Sequence, residues 1–110
     1  MEVPLEERDG EASTPLHWAC FAGSDTAIYY LLAWGINVNA VDKDGNTPLH
    51  LAVKQAENFP NTRSIKELLI KGAERTNIDI EGKKPIDNAV FISDQKLKAE
   101  LEILLVNIKL

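Results

Sequence analysis

The chain carries a single cysteine, Cys20, so no disulfide can form within it, and small secreted domains that depend on such bridges are excluded. A lone thiol fits a reducing compartment, and a cytoplasmic or nuclear location is expected. No stretch approaches the roughly 20 apolar residues that span a bilayer, so this segment is not expected to enter a membrane. The opening residues are acidic, where a secretory signal would be basic and then apolar. Positive charge is also short: 12 Lys and Arg face 17 Asp and Glu, for a net charge of −5. Nucleic acid and anionic lipid are thereby disfavoured as main ligands, because both are bound chiefly through cations. Aromatic residues make up only 6%, although a hydrophobic total of 45% is ample for the core of one compact unit of 110 residues.

What is present is a repeat. Thr14-Pro15-Leu16-His17 returns 33 residues later as Thr47-Pro48-Leu49-His50. The match extends from Ser13 to Ala19 against Asn46 to Ala52, and Leu31-Leu32-Ala33-Trp34-Gly35 pairs with Leu68-Leu69-Ile70-Lys71-Gly72. A third, worn copy follows, in which Gly82 precedes Lys84-Pro85-Ile86-Asp87-Asn88-Ala89 as Gly45 precedes Thr47. The step from Thr47 to Lys84 is 37 residues, so the second copy carries four extra. The polar segment Glu57-Asn58-Phe59-Pro60-Asn61-Thr62-Arg63-Ser64 is where they belong, as a longer turn between two helices. A fixed period of this length means one supersecondary unit, copied and stacked.

Each copy reads as helix, turn, helix. Asp42-Lys43-Asp44-Gly45-Asn46 offers the side-chain acceptors and the permissive glycine of a tight turn. Thr47 then caps a helix, with Pro48 at its first position, where the missing N–H costs nothing. Leu49, Leu51, Ala52 and Val53 are expected to face neighbouring copies, as are Leu16, Ala19 and Cys20. A second helix over about Asp25 to Trp34 carries Ile28, Leu31 and Leu32 at i, i+3, i+4 and stops at Gly35.

On these residues the chain resembles the ankyrin repeat family over nearly its whole length. The resemblance implies an all-α fold, a solenoid of about three helix–turn–helix units joined by short β-hairpin-like loops. The units fall at about 13–45, 46–82 and 83–110, behind an acidic arm over 1–12. Glu2, Glu6, Glu7, Asp9 and Glu11 against Arg8 give residues 1–13 a net charge of −4, leaving −1 for the rest.

No residue reads as chemistry. His17 and His50 stand three residues after a capping threonine, where an imidazole can bond that hydroxyl or the backbone of the next unit. His17 and Cys20 are two ligands at most, too few for zinc, and Cys20 reads as a small core residue. Asp42-Lys43-Asp44-Gly45 has its glycine too early for a calcium loop, and Val53 stands where that loop needs Glu. Neither a phosphate-binding glycine loop nor a nucleophile motif occurs, so no enzyme activity and no cofactor or metal is expected.

The family binds proteins through its loop tips and inner helices, and the resemblance carries that role to particular positions. These are Phe21 and Ala22, Lys54 and Gln55, and Phe91 and Ile92 on the helices. The tips add Val41, Lys43, Asp44 and Asn46, then Ile78, Ile80, Glu81 and Lys83. A protein or peptide ligand with apolar side chains across Phe21 and Phe91 is the expected partner. Trp18 is expected in the core, since the second copy has Leu51 there, and Trp34 is expected to pack on Phe59-Pro60.

At the far end Lys84 and Asp87 replace Thr and His, which fits a terminal unit. The last helix, started by Asp94, has a stripe of Leu97, Leu101, Leu104, Leu105 and Ile108, widened by Ile103, Val106 and Leu110. Such width points to a cover from a partner or from further sequence, and the chain reads as an excised module. Thr14–Ala19, Tyr30–Trp34, the long second unit with Asn61-Thr62-Arg63, and Lys84–Asp87 are similar to ankyrin segments that precede DHHC-type palmitoyltransferase domains. That narrower resemblance implies a substrate-recruiting arm. It supplies no catalytic residue, because the chain has neither the Asp-His-His-Cys motif nor a membrane span.

Overall fold

The computed structural model describes residues 7–59 and 62–106. Helices α1 (Pro15–Ala22) and α2 (Asp25–Ala33) form the first unit, and α3 (Pro48–Lys54) and α4 (Arg63–Ile70) the second. A 3₁₀ helix (Pro85–Phe91) and α5 (Gln95–Leu105) form the third. No strand forms among the described residues. The molecule is elongated, 43 Å along its longest axis. Helix α3 lies between α1 and the 3₁₀ helix, while α4 packs beside α2 and α5 backs the 3₁₀ helix. Leu16, Ile28, Leu49, Ile65, Leu68 and Leu101 form a continuous aliphatic core between these layers.

The caps explain why the helices start where they do. Thr14 and Thr47 accept the N–H of His17 and His50 through their hydroxyls, and Pro15 and Pro48 follow them. Lys84 has no oxygen with which to do this. Its segment winds instead at 3₁₀ pitch, with i+3 bonds such as Asp87 N–H to the Lys84 carbonyl at 3.0 Å. The expected loss of the polar pair is therefore only partial, because the Asp87 carboxylate still accepts the Lys84 N–H at 2.9 Å.

The turns between units share one plan. In each, an aspartate carboxylate accepts the N–H groups two and four residues on: Asp9 from Glu11 and Ser13, Asp42 from Asp44 and Asn46, Asp79 from Glu81 and Lys83. Adjacent tips join through one backbone bond each, Lys43 N–H to the Glu11 carbonyl and Ile80 N–H to the Asp44 carbonyl, both at 2.9 Å. Residues Asp9–Ser13 thus form the first tip of the solenoid. Residues 1–6 of the expected acidic arm lie outside the described residues.

The fourth residue of each turn is left-handed: Gly45 at φ 78°, Gly82 at φ 77°, and Ala12 at φ 61°. An L-residue held there costs about 1–2 kcal/mol. Glycine removes that strain but loses more chain entropy on folding, by about 0.5–1 kcal/mol. Ala12→Gly should therefore raise stability by roughly 0.5 kcal/mol, read as a higher denaturant midpoint at unchanged slope.

The extra residues of the second unit fall where expected, in the link over 55–62 between α3 and α4. Phe59 folds back over the first unit, its ring 2.5 Å from where a Cβ on Gly23 would stand. Trp34 does not meet it, contrary to expectation. Its ring lies 6.0 Å from that of Tyr30 and it is half-exposed, while Pro60 falls outside the described residues. In α5, Asp94 caps the helix and Leu97, Leu101 and Leu105 are buried. Ile103 and Val106 of the widened stripe are each 58% exposed, and Ile108 and Leu110 lie outside the described residues.

Candidate functional site

The inner helices and the turn tips of successive units lie side by side, and a pair of buried histidines sets their spacing. His17 Nδ1 accepts the Thr14 N–H at 3.1 Å and lies 2.9 Å from the Thr14 hydroxyl, while Nε2 lies 2.8 Å from the Asn46 carbonyl of the next unit. His50 repeats this with Thr47 and with the Lys83 carbonyl at 2.9 Å. A carbonyl only accepts and a backbone N–H only donates, so in each imidazole Nε2 is the donor and Nδ1 the acceptor. Burial lowers the pKa of His17. Both histidines are therefore struts between successive turns, and both expected bonds are made at once.

No group of three or more metal-ligating residues occurs among those described. Cys20 is buried, and burial pushes its thiol pKa far up, leaving it an unreactive packing residue.

The residues expected on the face divide clearly. Phe21 is 50% exposed and Phe91 77% exposed, and Ala22 is also on the surface. Val41, Lys43, Asp44, Ile78, Ile80 and Glu81 are exposed on the turns. Lys54 is exposed, with its ammonium donating to Asn46 Oδ1 at 3.0 Å. Gln55 and Lys83 are half-buried; Gln55 ends α3 and accepts from Asn58, and Lys83 lends its carbonyl to His50.

Two of the set lie inside. Asn46 is buried because its carbonyl takes the His17 bond and its N–H is held by Asp42. Ile92 is buried because the 3₁₀ helix stops at Phe91 and Ile92 is extended, which turns its side chain back to the core.

Trp18, expected in the core, stands on the surface instead. It is 54% exposed, with its indole N–H donating to Asp9 Oδ2 at 2.7 Å and its ring perpendicular to that of Phe21 at 6.0 Å. The Asp9 carboxyl, held by the N–H groups of Ser13 and Glu11 as well as by this indole, has a pKa below the usual carboxylate value. The signal was present in the spacing: Trp18 and Phe21 are three apart on one helix and so share a face. Glu11, Ser13 and Asp42 line the groove that these rings wall, together with Asp44, Asn46 and Leu51.

Comparison with known proteins accords with this architecture. A family model for ankyrin repeats (3 copies) matches residues 2–83. Rabankyrin-5 of Mus musculus is 48% identical over 93 residues, covering 83% of this chain and 7% of its own length. The ARF GTPase-activating protein Git of Drosophila melanogaster is 36% identical over 82 residues, covering 74% of this chain and 11% of its own. A putative palmitoyltransferase of Danio rerio, ZDHHC13, is 35% identical over 74 residues, 67% of this chain and 11% of that protein. The chain thus spans about a tenth, or less, of the length of these relatives. With the profile match, the repeated Thr–His struts and three stacked units, the chain belongs to the ankyrin repeat family.

Proposed function

We propose that this domain is a non-catalytic protein-interaction module that takes an extended segment of a partner across its concave face. The observation that carries the reading is the exposure of Phe21 and Phe91 on the inner helices, with Val41, Ile78 and Ile80 bare on the turns beside them. Large apolar side chains exposed together on one face of a soluble domain are characteristic of a binding surface. The net charge of −5 disfavours nucleic acid as the ligand, and no described helix is long and apolar enough to cross a membrane. The lone, buried Cys20 supports a cytoplasmic setting, with the nucleus as the other option.

The test is retention from cell lysate by the domain and by a Phe21→Ser/Phe91→Ser variant that stays folded by circular dichroism. Each ring should contribute about 2 kcal/mol or more if it anchors the partner. The specific partner should therefore vanish from the variant's eluate; equal retention by both proteins would refute the reading.

A second reading makes the module the substrate-recruiting arm of a DHHC-type protein acyltransferase, supported by the 35% identity to the zebrafish palmitoyltransferase. The higher identity to Rabankyrin-5 ranks it below the first. Sequence of the parent gene beyond Leu110 decides: a DHHC motif between apolar spans favours the acyltransferase, and its absence removes it.

A further inference from the structure

The groove between the first two turns has walls and a rim of different chemistry. Trp18, Phe21 and Leu51 form its apolar side, and Glu11, Asp42 and Asp44 its polar side, around a space of about 280 Å³. No cation lines it. Lys43 and Lys54 stand nearby, but Lys43 pairs with Glu11 at 3.5 Å and Lys54 donates to Asn46. Arg8 does not line the groove and donates to the carbonyls of Ala12 and Val41.

The carboxylates are not equally available. Asp42 spends one oxygen on the N–H groups of Asp44 and Asn46 and the other on the Asn46 side-chain amide at 3.4 Å. Asp44 uses only its backbone in the turn contacts, which leaves its carboxylate for a ligand. Glu11 is held only by the solvent-exposed Lys43 pair, an interaction of little strength that an incoming cation can displace. The Trp18 ring is fixed by Asp9, so the apolar wall is set before anything binds.

An occupant that is apolar throughout would strip water from these carboxylates without replacing it. An acidic occupant would be repelled. A long side chain with an apolar stem and a cationic head satisfies both sides, the stem against Leu51 and the rings, the head at Asp44 and Glu11. We infer that this groove takes an arginine or lysine side chain of the partner segment, next to an apolar residue that lies toward Phe91. The inference rests on the concave-face reading above and specifies its ligand.

Selection from a random dodecapeptide phage library on the 110-residue protein tests it, with Glu11→Gln/Asp44→Asn and Phe21→Ser/Phe91→Ser variants as probes. Both acids are exposed and outside the buried core, so the first variant should fold. The expected result is enrichment of Arg or Lys beside apolar residues, with synthetic peptides binding the acid variant about threefold to tenfold more weakly. Peptides without a basic residue, or binding that survives the acid variant but not the phenylalanine variant, would overturn the cation site and leave the concave face standing. Binding that survives both variants, or no selected peptide at all, would overturn both.

Discussion

Leu49→Ala is expected to lower the unfolding free energy by about 2–5 kcal/mol. Leu49 is fully buried in α3, the helix that packs on the first unit on one side and on the third on the other. A cavity there weakens both interfaces. In a stack where each unit contacts only its neighbours, stability is carried by those interfaces, so damage to the middle unit uncouples the ends. Against a total of roughly 5–15 kcal/mol for ordinary domains, such a loss is a large fraction. Thermal melting should fall by at least about 10 °C. Leu101→Ala provides the comparison. That leucine is equally buried, but it belongs to the last unit, so its loss should loosen α5 while α1 to α4 keep most of their protection. Hydrogen exchange distinguishes the two patterns, and a uniform loss from both variants would refute the nearest-neighbour account.

Replacing the first strut should cost nearly as much. His17→Leu keeps an apolar group of similar bulk but leaves the buried Thr14 N–H and the Asn46 carbonyl without their imidazole partner. Each unsatisfied group costs about 1–3 kcal/mol, so a loss of about 2–5 kcal/mol is expected.

Acid should act on the same bonds. The pKa of His17 is lowered in the folded state, chiefly by burial, so the unfolded chain binds the extra proton more readily. The stability due to the neutral imidazole is full above the unfolded value of about 6.5 and declines as pH falls below it toward the folded pKa. Denaturant midpoints of the wild type should therefore drop between pH 7 and pH 5 more than those of His17→Leu. Parallel midpoints across that range would show that His17 does not control the acid response. Below this range, lowered carboxyl pKa values at Asp9, Asp79 and Glu100 add a second decline, since these groups stabilise the fold only while ionised.

Several elements could be read from residues alone because their cause is local. A threonine, a proline and a histidine at fixed offsets start a helix by hydrogen bonds that reach no further than three residues. The repeated aspartates fold their turns through their own backbone neighbours, which is why the period of 33 residues, and its extension to 37, located the units and the insertion. The first helix of the third unit resisted because Pro85 and the apolar residues after it suit either pitch, and without the threonine cap the segment winds more tightly. Phe21 and Phe91 were placed on the surface by their offset of seven residues from the cap, whereas Ile92, one residue further, turns into the core once the helix has ended.

The sequence by itself determined the fold class, the number and order of units and the part of both histidines in capping their own helices, since these follow from short-range bonds and from copying. Only the tertiary structure decided how Trp18 is held by Asp9, where Phe59 lies over Gly23, and which acids meet which rings at the groove. The last two join different units and the first joins a turn to its own helix; all are fixed by how the helices and turns stack in space, and no periodicity within one unit records them.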